Sequence, residues 1–188
     1  EREESDKWTD EEKAKEIVEV VVWWWTRTVK VTREVKEAYE YAKEKKITTT
    51  EDIEEFEPEW KLIRMHLAKM VSEFAVEVMW KQEKTEWVEW CENFKDMEGE
   101  TEEMQKYATM ACKLGLMWRK ADQITVSENF NPNREVNRAQ FGTILSRLLR
   151  WDKYAVRGEA KWYYEDHLQA LKESGIMTMI DPEMAELR

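Results

Sequence analysis

The sequence predicts a mainly α-helical protein built from repeated helix-loop-helix units. Apolar residues recur mostly at helical spacing, and the chain contains only five Gly and three Pro. Residues 56–72 also align without a gap with residues 130–146, and this alignment matches Arg64 with Arg138. Internal repetition of this kind indicates a fold assembled from copies of one supersecondary unit.

Composition limits the function classes that fit the chain. With 188 residues and 42% hydrophobic content, the chain can form one well-buried domain or a tight array of small units. Its net charge of -11 predicts no nucleic-acid partner, because neutralising phosphates requires a basic surface. No stretch approaches the roughly 20 apolar residues of a transmembrane helix. The eleven Trp residues indicate that some of these rings lie at an interface.

The N-terminal region, residues 1–29, is predicted to be an extra helical segment. A capping box at Thr9–Glu12 opens a helix that runs into the apolar stretch Ile17–Trp25. Because this stretch is apolar all round, it is either a helix or strand buried in the same domain or a surface exposed for a partner. In the second case it is a subunit contact of a homo-oligomer or polymer. The contact residues would be Val22, Trp23, Trp24 and Trp25.

The next helix is predicted to begin at the N-cap residue Thr32 and to end near Lys46. Lys46 aligns with Gly115 and Gly175, each at the end of a helix where a left-handed residue suits the chain. In each copy the following residue is predicted to be a buried aliphatic side chain. These residues are Ile47, Leu116 and Ile176.

The second helix of each unit has a predicted cap of its own. In the best-preserved copy Asn137 is the N-cap residue, and Gln140 completes a capping box. Apolar residues then follow at helical spacing from Phe141 to Leu149. In the first copy Ile63 occupies the cap position and cannot accept the hydrogen bond, so that helix should begin less sharply, at a cost of about 1 kcal/mol.

Together these segments predict a repeat domain over residues 30–188. Its units span about residues 30–79, 94–150 and 162–188, and the third unit is incomplete because it stops at Arg188.

The repeats carry a set of short motifs. In the second unit these are Phe94-Lys95-Asp96-Met97, Leu114-Gly115-Leu116-Met117, Phe130-Asn131-Pro132 and Asn137-Arg138-Ala139-Gln140-Phe141. With them the sequence resembles the S-layer homology (SLH) domain family, whose unit has Phe-x-Asp-Val, Gly-Ile/Leu, Phe-x-Pro and Thr-Arg-Ala-Glu-Phe at those places. The chain departs from that pattern at Ile63 and Asn137, which replace Thr, and at His66 and Gln140, which replace Glu.

The resemblance implies three copies packed around a pseudo-threefold axis in a secreted bacterial cell-surface protein. Such proteins are held non-covalently to cell-wall polysaccharide. The implied polymer-binding residues are the Arg of each helix start, namely Arg64, Arg138 and Arg188. The residues alone leave an alternative, in which each Arg makes a salt bridge or carbonyl contact that joins adjacent units.

Cys91 and Cys112 are the two cysteines of the chain. In a secreted protein they can form a disulfide closing a loop of about 20 residues, worth on the order of 3 kcal/mol. The alternative is two independent buried thiols. The disulfide is favoured because Cys91 just precedes the unit start at Phe94 and Cys112 lies on the first helix of that unit.

The sequence predicts no enzyme, no metal site and no cofactor. Neither His66 nor His167 has the spacing of a metal ligand, and no Gly-rich phosphate loop or nucleophile elbow is present. The aromatic side chains near the third unit are expected to fill space between units or to stack on sugar rings. They are Trp151, Tyr154, Trp162, Tyr163 and Tyr164, and Trp87 and Trp90 are interpreted in the same way.

We therefore expect a non-enzymatic, secreted cell-surface protein that anchors to or assembles on the bacterial envelope. A second hypothesis is a self-assembling filament or lattice subunit that uses the Trp-rich N-terminal segment. A third is an engineered helical protein on this fold, in view of its unusual Trp and Glu content.

Overall fold

The computed structural model describes residues 15–22, 27–53, 61–83, 88–117, 120, 125, 127–154 and 162–177. It confirms the expectation of a mainly helical protein. The chain divides into two compact units, residues 1–60 and residues 61–188, and the predicted boundary between residues 29 and 30 falls inside a strand of the first unit. Among the described residues, no helix has both the length and the apolar character needed to cross a bilayer.

The first unit contains a β-hairpin followed by a helix. Strand β1 spans Ile17–Val22 and strand β2 spans Arg27–Thr32, and the two pair antiparallel. Helix α1 spans Arg33–Glu44, and the Thr32 hydroxyl accepts a hydrogen bond from the Val35 N–H at 3.2 Å, which confirms the predicted cap. The buried apolar residues of this unit are Tyr39, Ala42, Ile47 and Ile53.

The prediction of an N-terminal helical segment is wrong over Ile17–Val22, which form β1. Five of these residues are β-branched, and such side chains lose rotamer freedom in a helix but pack well on a pleated sheet. The alternating Thr, Val and Lys residues of Arg27–Thr32 supply the partner strand. The capping box at Thr9–Glu12 lies outside the described residues, as do Trp23, Trp24 and Trp25.

The second unit is helical. Helix α2 spans Arg64–Glu73 and continues as a π-helical turn over Phe74–Val78, α3 spans Val88–Glu92, and α4 spans Glu102–Lys113. Helix α5 spans Arg138–Arg150 and is followed by a 3-10 turn over Trp151–Tyr154, and α6 spans Glu165–Glu173.

The core of the second unit is formed by three packed pairs of helices. Helix α4 packs against both α2 and α3, and α5 packs against α6. The predicted apolar stripe of α5 is confirmed, since Ile144 and Leu148 are buried and Phe141 and Leu145 pack against the same core. Helix α6 approaches α5 so closely that a Cβ atom on Gly142 would lie 2.1 Å from Leu168 Cδ2.

Buried polar side chains also join the helices of the second unit. Ser146 on α5 and His167 on α6 are both fully buried, and Ser146 Oγ lies 2.9 Å from His167 Nδ1. The buried Arg147 donates from Nη1 to the Leu116 carbonyl at 3.1 Å. These contacts tie α5 both to α6 and to the turn that follows α4.

The three predicted helix-end turns are confirmed, because Lys46, Gly115 and Gly175 have φ values of 57°, 75° and 72°. Ile47 and Leu116 are buried as predicted. The prediction is wrong for Ile176, whose side chain is 48% exposed. The next residue, Met177, packs against Ala139, Tyr164 and Leu168 instead.

Candidate functional site

The start of helix α2 meets the Phe-x-Pro turn that precedes α5 in a junction formed by residues 61–65 and 130–136. Ile63 and Glu135 form an isolated antiparallel bridge, and the Val136 N–H donates to the Leu62 carbonyl at 2.8 Å. Lys61 Nζ lies 3.0 Å from a Glu135 carboxylate oxygen. The repeated segments therefore bind each other directly, and α2 and α5 both begin at this junction.

The junction also caps helix α2. The Arg64 N–H donates to the Arg134 carbonyl at 2.9 Å, and the Met65 N–H donates to the Pro132 carbonyl at 3.0 Å. Ile63 makes no side-chain cap, as predicted. The first-turn N–H groups of Arg64 and Met65 nevertheless have partners, so the expected cost of the missing cap is offset by the other copy.

Arg64 is held inside the junction. Its Nε donates to the Phe130 carbonyl at 2.7 Å, and its guanidinium carbon lies 5.2 Å from the centre of the Phe130 ring. Burial lowers the pKa of the Arg64 guanidinium, and the positive charge of Arg134 lowers it further. These contacts match the interpretation in which the repeat Arg joins adjacent units through a carbonyl.

Asp96 fixes the turn on which Arg64 rests. One carboxylate oxygen of Asp96 accepts from the Phe130 N–H at 2.7 Å, and the other accepts from the Asn131 N–H at 2.5 Å. The Phe94 and Phe130 rings pack edge to face with centres 5.4 Å apart. Asn131 has a φ of 58°, a left-handed conformation that Asn tolerates well. The Asp of the Phe-x-Asp motif thus holds the Phe-x-Pro turn in place.

Arg138 occupies the same repeat position as Arg64 but has a different environment. It is the first residue of α5 and is exposed, and its side chain has no hydrogen-bond or ion-pair partner within the described ranges. The capping box beneath it is confirmed. The Gln140 N–H donates to Asn137 Oδ1 at 2.9 Å, and the Asn137 N–H donates to Gln140 Oε1 at 3.3 Å. The third repeat position, Arg188, lies outside the described residues.

A disulfide joins Cys91 on α3 to Cys112 on α4, as favoured from the sequence, with a Cα–Cα distance of 5.5 Å. Both sulfur-bearing residues are buried. A groove of about 730 Å³ lies over this bond between α3 and α4. Its Lys113 forms an ion pair with Glu92 at 3.0 Å and lies 4.0 Å from Glu83, so at least one cation of the groove is already neutralised by the protein.

Several aromatic rings, for which the sequence predicts either packing between units or stacking on sugar rings, are exposed. Trp90 is 61% exposed and lines a second cleft, of about 640 Å³, together with Asn93, Lys95 and Glu128. Trp151 and Trp162 are also exposed, whereas Tyr164 is buried and stacks on the Trp162 ring with centres 6.2 Å apart. An indole face beside amide and carboxylate groups is suited to a sugar ring. The sequence did not distinguish Trp90 from a packing residue, because its spacing fits either role.

Of the other predicted site residues, only Val22 is described. Val22 is the last residue of β1, and the predicted self-association through Val22 and the Trp residues that follow it stays a prediction. Within the described ranges, no three His, Cys, Asp or Glu side chains are grouped to hold a metal ion. Comparisons of the chain with family models, curated proteins and solved structures found no match.

Proposed function

We propose that this chain is a non-enzymatic, secreted cell-surface protein that anchors to cell-wall polymer through SLH-like repeats. In this proposal residues 30–188 form three copies around a pseudo-threefold axis, and Arg138 contacts the polymer. The observation that carries the proposal is the contrast at the repeat Arg. Arg64 is held by the Phe130 carbonyl and ring, whereas Arg138 stands exposed at the start of α5.

The chemistry of the Arg138 site favours an anionic polymer. A guanidinium group binds a carboxylate or a pyruvyl group through two parallel hydrogen bonds. The N-terminus of α5 adds a partial positive charge beside Arg138, which further favours an anion. In a chain with a net charge of -11, this local positive site determines where an acidic polysaccharide can approach.

Binding of the purified protein to isolated cell-wall polymer tests the proposal. We expect Arg138→Ala to weaken binding at least about tenfold, because a charge-assisted hydrogen bond contributes roughly 1.5–3 kcal/mol. Arg134→Ala is the matched control, since Arg134 is also exposed and lies four residues earlier. If Arg138→Ala has an unchanged circular dichroism spectrum and binds the polymer as tightly as the wild type, the proposal is wrong.

Trp90 provides a separate test of the sugar component of the polymer. Stacking of a sugar ring on the exposed indole requires an aromatic side chain at this position. We expect Trp90→Ala to weaken polymer binding several-fold and Trp90→Phe to retain most of it. If both variants bind like the wild type, the polymer does not use this cleft, and the test of Arg138 is unaffected.

The second candidate function is a self-assembling filament or lattice subunit. One observation favours it: β1 and β2 form a two-stranded sheet in which Ile17 is exposed. A hairpin of this size is only marginally stable alone and gains from a further partner. Electron microscopy of the purified protein separates the candidates, because ordered assemblies in the absence of polymer support the subunit and dispersed particles support the anchor.

A further inference from the structure

The register of the hairpin shows which backbone N–H and C=O groups of strand β1 face away from β2. Ile17 pairs with Thr32, and the Arg33 N–H donates to the Glu16 carbonyl at 2.7 Å. This bond places Ile17 and Thr32 in a non-hydrogen-bonded pair. Because the two kinds of pair alternate, residues 18, 20 and 22 direct their N–H and C=O groups to β2. Residues 17, 19 and 21 therefore direct theirs to the outer edge.

This outer edge lacks the features that usually protect an edge strand. Among the described residues no third strand pairs with β1. The strand contains no Pro, Gly or Lys, and its single charged residue, Glu19, lies 3.5 Å from Lys30 on β2. Natural proteins commonly block edges with Lys, Pro or bulges, whereas the outer backbone groups of the β-branched strand β1 have no partner within the part of the chain that the structure describes.

We infer that β1 pairs antiparallel with β1 of a second copy, about a two-fold axis at Val20. The backbone pattern restricts the registers, because outward-directed residues must pair with each other. An axis at Glu19 would place two carboxylates directly opposite, which is unfavourable. An axis at Val18 would overlap only residues 17–19 of the strands. An axis at Val20 overlaps residues 18–22 and places Glu19 opposite residue 21 of the second copy.

Charge explains why the occupant is a second copy of the chain. The whole protein has a net charge of -11, so two copies repel each other over most of their surface. Residues 17–32 do not share this acidic balance, because they contain one acidic residue, Glu19, and two basic residues, Arg27 and Lys30. Two copies that meet hairpin to hairpin therefore avoid the repulsion between their acidic surfaces. The resulting contact is isologous and closes as a dimer.

Cysteine cross-linking tests the register. Residue 20 faces its own equivalent across the axis in a non-hydrogen-bonded pair, where Cα atoms are about 4.5 Å apart. The native cysteines are already joined to each other, so Val20→Cys introduces the only free thiol. We expect Val20→Cys to form a covalent dimer under mild oxidation. Val18→Cys is the matched control. It should form at least about tenfold less covalent dimer, because residue 18 lies opposite residue 22 of the second copy and not opposite its own equivalent.

Three results would overturn the inference. They are a Val20→Cys protein that stays monomeric, equal cross-linking of both cysteine variants, and a wild-type protein that sediments as a monomer at high concentration. A monomeric Val20→Cys protein would also be the result if another segment of the same chain covered the edge.

Proline substitution tests the backbone contact. Glu19→Pro removes an outward N–H and leaves the bonds to β2 in place, which an edge strand tolerates. We expect it to shift the protein from dimer to monomer in sedimentation velocity, whereas Glu19→Gln keeps the N–H and should stay dimeric. Protection of the Val18 and Val20 amides from hydrogen exchange reports whether the hairpin persists. A Glu19→Pro protein that stays dimeric with an intact hairpin would contradict the inference. If the substitution unfolds the hairpin, the comparison of Val20→Cys with Val18→Cys remains the test.

Discussion

Helices α2 and α5 begin with equivalent segments of a repeat, but the two starts are stabilised in different ways. Helix α5 is capped by its own sequence, through the reciprocal hydrogen bonds of Asn137 and Gln140. Helix α2 has no side-chain cap at Ile63, and its first N–H groups donate to carbonyls of the turn that leads to α5. Backbone carbonyls of the segment before α5 thus take the place of the side-chain cap that α2 lacks.

The same difference extends to the Arg that follows each cap. Arg64 donates to Phe130 and covers its ring, so it is part of the junction between copies. Arg138 is exposed, and Ile180, which aligns with Phe130 in the predicted third unit, lies outside the described residues. Contacts with the Phe130 turn therefore give Arg64 a structural role that the aligned Arg138 does not have among the described residues.

The largest effect should come from the disulfide, which strengthens the second copy alone. Replacing Cys91 and Cys112 with Ala should lower the free energy of unfolding by about 3 kcal/mol, because the bond restricts the unfolded chain. Urea unfolding of the double variant, beside the wild type with and without reductant, measures this effect. If the variant is as stable as the oxidised wild type, the bond does not stabilise the fold.

Arg64 and Arg138 should differ next most strongly. Arg64→Ala should cost about 2 kcal/mol, since it removes a charge-assisted hydrogen bond and a cation–π contact. Arg138→Ala should change stability by less than about 0.5 kcal/mol, as expected of an exposed side chain. Thermal unfolding of both variants provides the comparison. Equal losses would show that Arg138 also serves a structural role.

Gly142 on α5 aligns with Ala68 on α2. The change in stability caused by Gly142→Ala should have the opposite sign to the one that helix propensity predicts. Propensity alone predicts that Gly142→Ala stabilises α5 by about 1 kcal/mol. The new Cβ would meet the buried Leu168 side chain, however, and overpacking typically costs about 1–3 kcal/mol. We expect net destabilisation in urea unfolding. A stabilised Gly142→Ala protein would mean that α5 and α6 separate readily.

The two caps should give the smallest but most direct contrast. Asn137→Ala should destabilise the protein by about 1 kcal/mol, because α5 loses its capping box. Ile63→Asn should not give the corresponding gain at α2, since the N–H groups of Arg64 and Met65 already donate to the junction. Chemical denaturation of the two variants tests this. A gain of about 1 kcal/mol in Ile63→Asn would show that the junction does not replace the cap.

Local signals predicted those parts of the fold that depend on neighbouring residues in the chain. The capping box at Asn137, the cap at Thr32, the left-handed turns at Gly115 and Gly175 and the stripe of α5 were all correct. The disulfide was favoured from the positions of its two cysteines. Each of these features involves residues close in sequence or a pair with few alternatives, so spacing and residue type were sufficient.

Features that depend on a distant partner were predicted less well. The apolar run at Ile17–Val22 was expected to be helical, and it became a strand because Arg27–Thr32 offers a complementary edge. The two roles that the sequence leaves open for Trp90 are not resolved by its spacing, and Ile176, which is predicted to be buried, is exposed while Met177 is packed. Periodicity gives the spacing of a side chain but not which other segment covers it.

By itself the sequence determined the cap that starts α5 and the alignment of Arg64 with Arg138, since these rest on residue type, spacing and short-range hydrogen bonding. Only the tertiary structure decided that Arg64 serves the junction while Arg138 is exposed. The physical reason is that carbonyls and rings of another segment complete the first site. Neither the Phe130 carbonyl nor the turn carbonyls that cap α2 can be assigned before the two copies are packed together.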